Sequence, residues 1–199
     1  MEKMKVLAIC TSPSKDGAVE MSLAEVLKGS EYAGAETELY HIRGKDLRPC
    51  IGCGSCKRTG KCTLNDDMQE LHQKITAADA VVIGSPVYFY DVNAQCKMII
   101  DRSYALLPIN GSKVGGIVVN AGSLGCSGAI DTLNMFYSVH GITNAGWVAT
   151  YMGIEEKEQA KQAAFELGAK MVALRKVLKA ANSNSFDQLR CFAFGTHTK

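Results

Sequence analysis

Residues 80–91 read Ala80-Val81-Val82-Ile83-Gly84-Ser85-Pro86-Val87-Tyr88-Phe89-Tyr90-Asp91. The first five are a continuous apolar run, the pattern of a parallel strand buried on both faces of its sheet. Three adjacent aromatics follow at the strand's end, where they cannot all face one core. They suit a planar apolar ligand or a subunit interface.

The same alternation of strand and helix runs outward from this segment. Lys5–Cys10 is a short apolar strand ending in the turn Thr11-Ser12-Pro13-Ser14-Lys15-Asp16-Gly17. Val19, Leu23, Val26 and Leu27 then share one helix face. Thr37–Ile42 gives a second, weaker strand, and Asp67 with Glu70 forms a capping-box-like start to a helix reaching about Ile75. Beyond residue 91 the pattern predicts a helix over roughly 92–106, a buried strand at Val114–Asn120 and a Gly/Ser loop over 121–128. A helix at about 129–139 leads to a fifth strand, Trp147–Met152. In the last helix Ala160, Ala164, Leu167, Met171, Leu174 and Leu178 alternate spacings of 4 and 3. Glu155, Glu156 and Glu158 lie at its start and Arg175, Lys176 and Lys179 near its end, as the helix dipole favours.

Five strands each followed by a helix imply an α/β, doubly wound, five-stranded parallel sheet with helices on both faces. Residues 1–181 form one domain, with a cysteine-rich insertion at 47–65 after the second strand, and 182–199 form a C-terminal tail. Ligands in such folds bind beyond the carboxyl ends of the strands. The loops at 11–18, 85–92 and 120–128 are therefore the ones that matter.

The chain has 199 residues, 47% hydrophobic, with a net charge of +2 and dispersed Lys and Arg. That balance offers no case for a nucleic-acid or membrane partner. The apolar run at residues 6–10 is too short for a signal peptide or a membrane span, and the expectation is a cytoplasmic protein.

Ser12, Ser14 and Lys15 offer donors at a helix N-terminus, a setting that favours phosphate. The loop is neither G-x-G-x-x-G nor a Walker sequence. An ordinary strand-to-helix turn with a serine cap reads the same residues equally well. Asn120-Ala121-Gly122-Ser123-Leu124-Gly125-Cys126 would let backbone approach a ligand closely, or would simply be a surface loop. Together the three loops describe a site for a flat molecule bearing phosphate.

Four of the eight cysteines fall within thirteen positions: Cys50, Cys53, Cys56 and Cys62, spaced C-x2-C-x2-C-x5-C. In a reducing compartment such a cluster reads first as a metal site. Three thiolates at two-residue intervals can wrap a compact cluster, with Gly52, Gly54 and Ser55 leaving room for sulfides. Lys57, Arg58 and Lys61 would offset thiolate charge and lower the thiol pKa values. Structural zinc also takes four thiolates, although more often from two C-x2-C pairs across a long gap. Redox-active thiols are a third reading. Cys10 and Cys96 fit as small core residues, Cys126 falls in a ligand loop, and His41, His72, His140 and His197 form no ligand spacing. Asp66 and Asp67 fit helix caps better than acid–base groups, and no catalytic acid or base is assigned.

These residues resemble the NADPH-dependent FMN reductase superfamily, and within it the iron–sulfur flavoproteins, over roughly residues 4–152. Thr11–Val19 is similar to that family's phosphate loop G-S-P-R-x-x-G-N-T. Two departures stand out: Ser14 replaces the arginine, and Ala18-Val19 replace Asn-Thr. Ser85–Phe89 resembles the flavin-ring loop, followed by a helix with Lys97 and Asp101-Arg102. The resemblance implies a flavodoxin-like fold that binds FMN. Ser12, Ser14 and the amides of Gly17, Ala18 and Val19 would hold the phosphate. Pro86, Val87, Tyr88, Phe89, Tyr90, Asn120, Ala121, Gly122 and Gly125 would surround the isoalloxazine. It implies a [4Fe–4S] cluster on the four cysteines, with zinc the alternative metal, and a homo-oligomer, dimer or tetramer. The activity expected is electron transfer between FMN and cluster, linking a one-electron donor such as ferredoxin to a two-electron acceptor. An NAD(P)H-dependent flavin or quinone reductase with structural cysteines and a non-enzymatic flavin-binding redox sensor are the alternatives.

Overall fold

The computed structural model describes residues 3–107, 109, 112–154 and 157–181. Glu155, Glu156 and the tail 182–199, with Cys191 and His197, lie outside them.

Chain order among these residues is β1 (Lys5–Cys10), α1 (Ala18–Tyr32), β2 (Glu36–His41), α2 (Ser55–Thr59), α3 (Met68–Ala77), β3 (Ala80–Tyr88), β4 (Asp91–Val92) and α4 (Ala94–Arg102). A 3-10 turn, Ser103–Leu106, precedes β5 (Val114–Ala121), α5 (Cys126–His140), β6 (Thr143–Tyr151) and α6 (Glu158–Ala180). The sheet order is β2-β1-β3-β5-β6, all parallel, with the two-residue β4 folded back antiparallel on β3.

The central strands explain their own composition. Alternate side chains of β1, β3 and β5 enter two separate cores. Leu7, Ile9, Val81, Ile83, Ile117 and Val119 meet α3, α4 and α5. Val6, Ala8, Cys10, Ala80, Val82, Val114 and Val118 meet α1 and α6. A strand buried on both faces must be apolar throughout, so the run at 80–84 is continuous. Each such side chain contributes roughly 1.5–3 kcal/mol on burial.

Several boundaries differ from the sequence pattern. β4 and the short α2 were not expected, and β6 starts at Thr143, earlier than Trp147, because half its residues face outward. Helix α5 starts at Cys126, so Cys126, Ser127 and Gly128 are helical rather than loop. The helix expected to end near 106 tightens to 3-10 after Arg102. Asp67 stands at the N-cap of α3 but makes no side-chain cap there. Its carboxylate accepts instead from the Asp46 amide (2.7 Å), while Glu70 pairs with Lys45 (2.7 Å). The capping box is thus replaced by bonds to the segment that follows β2. No helix among the described residues is long and apolar enough to cross a membrane.

Candidate functional site

Strand order reverses at β1 and β3, and doubly wound sheets bind ligands beyond the carboxyl ends of the strands at such a point. Residues 11–17 follow β1 and residues 89–90 join β3 to β4. A buried side chain, Asn93, binds these loops together. Its Nδ2 donates to the Thr11 carbonyl (2.6 Å), and its backbone N–H donates to Ser85 Oγ (3.2 Å). Its Oδ1 accepts from the Cys96 amide (3.1 Å), which caps α4. The Thr11 hydroxyl lies 3.0 Å from the same Oδ1 and 2.9 Å from the Gly84 carbonyl.

In the first loop Ser12 is buried and its Oγ accepts from the Ser14 amide (3.2 Å), while Ser14 and Lys15 are exposed. No side chain caps α1 at Gly17. The Asp16 amide donates to the carboxylate Oε2 of Glu20 at 3.1 Å, and His41 and Arg43 flank that carboxylate. The loop therefore shows the affinity for anionic oxygen expected of a helix N-terminus.

The second loop is strained. Phe89 and Tyr90 have φ of 48° and 70° and form the two-residue turn between paired Tyr88 and Asp91. Turns with two positive φ values favour Asn-Gly, and bulky residues there cost on the order of 1–3 kcal/mol each. The turn leaves Phe89 97% exposed and Tyr90 62% exposed, with Tyr88 half-exposed. Held open aromatic surface of this kind fits a flat apolar ring.

The third loop closes the site from the other side. A Cβ at Gly125 would stand 2.7 Å from Tyr90 Cα, and one at Gly128 would stand 2.2 Å from the Tyr90 carbonyl oxygen. Only glycine lets α5 approach the turn so closely. Gly122 has open space around it. Asn120 is less available than its sequence position implies, since its Nδ2 donates to Thr150 Oγ1 (2.7 Å). The segments expected as loops at 11–18, 85–92 and 120–128 meet through Asn93 on Thr11 and Gly125 against Tyr90. Only parts of them are loop: Ser85–Tyr88 belong to β3, Asp91 and Val92 to β4, Asn120 and Ala121 to β5, and Ala18 and Val19 to α1.

The cysteine segment forms a second centre. Cys50, Cys53, Cys56 and Cys62 all line one cavity of about 360 Å³, closed by Asp101, Arg102, Tyr104 and Ala105. Gly52 and Gly54 have φ of 65° and 68°, and nothing lies within 4 Å of where their Cβ atoms would be. The Cys53 thiol is held below its ordinary pKa, first by the Ser55 amide and next by Thr63. Arg58 is the smallest of the contributions, so backbone donors and not the neighbouring cations do most of this. Among the described residues no three His, Cys, Asp or Glu side chains converge closely enough to hold a single metal ion.

Beside this cavity lies a buried ion pair that the sequence pattern did not reveal. Arg102 is 3% exposed, and the Asp66 side chain is 0% exposed. Arg102 Nη1 and Nη2 both donate to the Asp66 carboxylate, Nη2 at 2.8 Å. Nη1 also donates to the Arg48 carbonyl (3.1 Å), and Nη2 lies 3.4 Å from Cys62 Sγ. Burial would push the Asp66 carboxyl up, but Arg102 and the Arg48 and Met68 amides outweigh it and hold it below the usual range. Two signals were available: Cys96, Ile99 and Arg102 share a helix face, and Asn93 is a cap-type residue just before α4. Cys10 and Cys96 are core residues, as expected, and burial pushes their thiols up to about 11 and about 12.

With this geometry in view, comparison with known proteins is informative. Residues 4–155 match the family NADPH-dependent FMN reductase. An iron–sulfur flavoprotein of Methanocaldococcus jannaschii is 38% identical over 148 residues, 72% of this chain and 76% of that protein. One from Archaeoglobus fulgidus is 36% identical over 177 residues, 84% and 79% of the two chains. Among solved structures, a flavone reductase superposes with a TM-score of 0.73 at 16% identity, over 89% of this chain and 65% of that one. An archaeal flavodoxin superposes at 0.61 and 15% identity, over 87% and 99%. These distant structures speak to the fold alone.

Proposed function

The chain belongs to the NADPH-dependent FMN reductase family, among its iron–sulfur flavoproteins, and as a flavin-dependent oxidoreductase of that kind we propose that it transfers electrons between FMN and a [4Fe–4S] cluster. One observation carries this reading: α4 joins the two centres. Its N-cap, Asn93, clamps the flavin loops, and its last residue, Arg102, braces the cysteine cavity. Nine helical residues make a rigid spacer about 13 Å long.

In this reading Ser12, Ser14 and the amides at 17–19 hold the FMN phosphate, with Lys15 at the mouth of the loop. Pro86–Tyr90 and residues 120–125 flank the ring, and their aromatic side chains exclude water from it. Cys50, Cys53, Cys56 and Cys62 ligate the cluster. FMN takes electrons singly or in pairs and the cluster takes one at a time, which would link a one-electron donor such as ferredoxin to a two-electron acceptor. The protein contributes position and electrostatics, and no acid–base side chain is assigned.

The test is anaerobic purification, with iron, zinc, acid-labile sulfide and flavin measured per chain. The expected result is one flavin and about four each of iron and sulfide. Flavin with zinc and no sulfide would sink the mechanism. Rapid bleaching of the flavin by NAD(P)H in a cluster-free protein would favour a simple reductase.

A further inference from the structure

Arg102 is the last residue of α4. Its guanidinium is buried, lines the same cavity as the four thiols and points one N–H at the sulfur of a single cysteine, Cys62 (3.4 Å). The Nε atom of the same guanidinium is fully buried with no hydrogen-bond partner among the described residues. A cation on a helix end is costly to bury, and replacing such a pair with apolar residues is often neutral or stabilising. A buried cation that lines the cavity of the four thiols, with one N–H on a sulfur, is placed to act on what those thiols hold.

We infer that Arg102, oriented by Asp66, is a positioning residue that raises the reduction potential of the cluster by donating a charge-assisted hydrogen bond to Cys62. The inference rests on the cluster reading above. Reduction adds one electron and no proton, so the centre becomes more negative. A fixed cation and an N–H···S bond at one ligand stabilise the reduced form more than the oxidised one. Asp66 acts in two ways. It fixes the guanidinium plane through two N–H···O bonds, and its own negative charge, one residue further from the cavity, offsets part of the effect. The electrostatics thus predict opposite signs for the two partners, which a purely structural pair would not show.

The test uses anaerobically purified full-length protein, with iron and sulfide assayed first and the potential then read by EPR-monitored titration. Arg102→Gln should shift the reduction equilibrium toward the oxidised cluster by about tenfold, or roughly 59 mV for one electron. Arg102→Lys, which keeps the charge but loses the planar fork, should recover part of that shift. Asp66→Asn should shift it the other way. Because Arg102→Gln strands a buried carboxylate, the double variant Asp66→Asn/Arg102→Gln removes both charges while keeping the shape. It should also lower the potential, since the bond to Cys62 is lost with its charge.

Unaltered protein without iron and sulfide overturns the cluster reading, and this assignment with it. A full complement of iron in the variants, with every potential within threefold of the unaltered equilibrium, overturns this assignment alone. So does a shift of the same sign in Asp66→Asn and Arg102→Gln.

Discussion

Asn93 and Thr11, 82 positions apart in sequence, are joined by two contacts: Asn93 Nδ2 donates to the Thr11 carbonyl at 2.6 Å, and the Thr11 hydroxyl lies 3.0 Å from Asn93 Oδ1. Both residues are fully buried. One amide side chain therefore sets the distance between the loop after β1 and the loop after β3, and caps α4 as well. Loss of the cap and of buried partners makes Asn93→Ala cost about 2–4 kcal/mol in urea unfolding. FMN affinity should fall with it. In a double-mutant cycle with Thr11→Val the two effects should couple, and strict additivity would show that the loops are registered by something else.

The strained turn leads to a prediction in which stability and binding part company. Replacing Phe89-Tyr90 by Asn-Gly supplies the residues that two positive φ values prefer. The flavin-free protein should gain about 1 kcal/mol or more. FMN binding, followed by quenching of flavin fluorescence, should weaken because the exposed aromatic surface is gone. Unchanged affinity would show that these rings do not face the flavin.

Gly128 sets intrinsic propensity against tertiary contact. It lies inside α5, where alanine is ordinarily better by about 1 kcal/mol. The Tyr90 carbonyl, 2.2 Å from the added Cβ, gives the opposite expectation. Gly128→Ala should lower the melting temperature and displace the turn, with FMN affinity falling more than helix content by circular dichroism. A stabilised variant with normal binding would show that the close approach is not needed.

His140 governs part of the acid sensitivity. It is buried, its Nε2 lies 2.8 Å from Ser103 Oγ and its Nδ1 has no hydrogen-bond partner among the described residues. Burial lowers its pKa from 6.5 to about 4. The unfolded chain therefore binds the proton first, so stability is whole above pH 6.5 and declines as the pH falls from 6.5 toward 4. The loss from this one residue is on the order of 3 kcal/mol. His140→Phe should flatten that decline, measured as unfolding free energy against pH; an identical slope would assign it to other groups, His72 foremost.

The sequence was legible wherever one element's own periodicity reported its burial. The run at 80–84, the helix face Val19-Leu23-Val26-Leu27 and the last helix needed no partner to be recognised, because a two-sided strand and a one-sided helix impose different spacings. The cysteine cluster was equally plain as a cluster, since its spacing lies within thirteen residues and its four thiols line one cavity. Boundaries were less legible where exposure broke the pattern: β6 carries outward residues before Trp147, and β4 is too short for any period. The capping reading of Asp67 failed because its carboxylate found an amide 21 residues away.

By itself the sequence determined the layered parallel fold and where along the chain the chemistry-bearing residues lie, because apolar periodicity and local thiol spacing are properties of adjacent residues. Only the tertiary structure decided that Asn93 clamps Thr11, that Gly128 makes room for Tyr90 and that Arg102 reaches from α4 to both Asp66 and Cys62. Each of these relations spans tens of residues, and its energy comes from burial and charge that exist only once the sheet has brought the loops together.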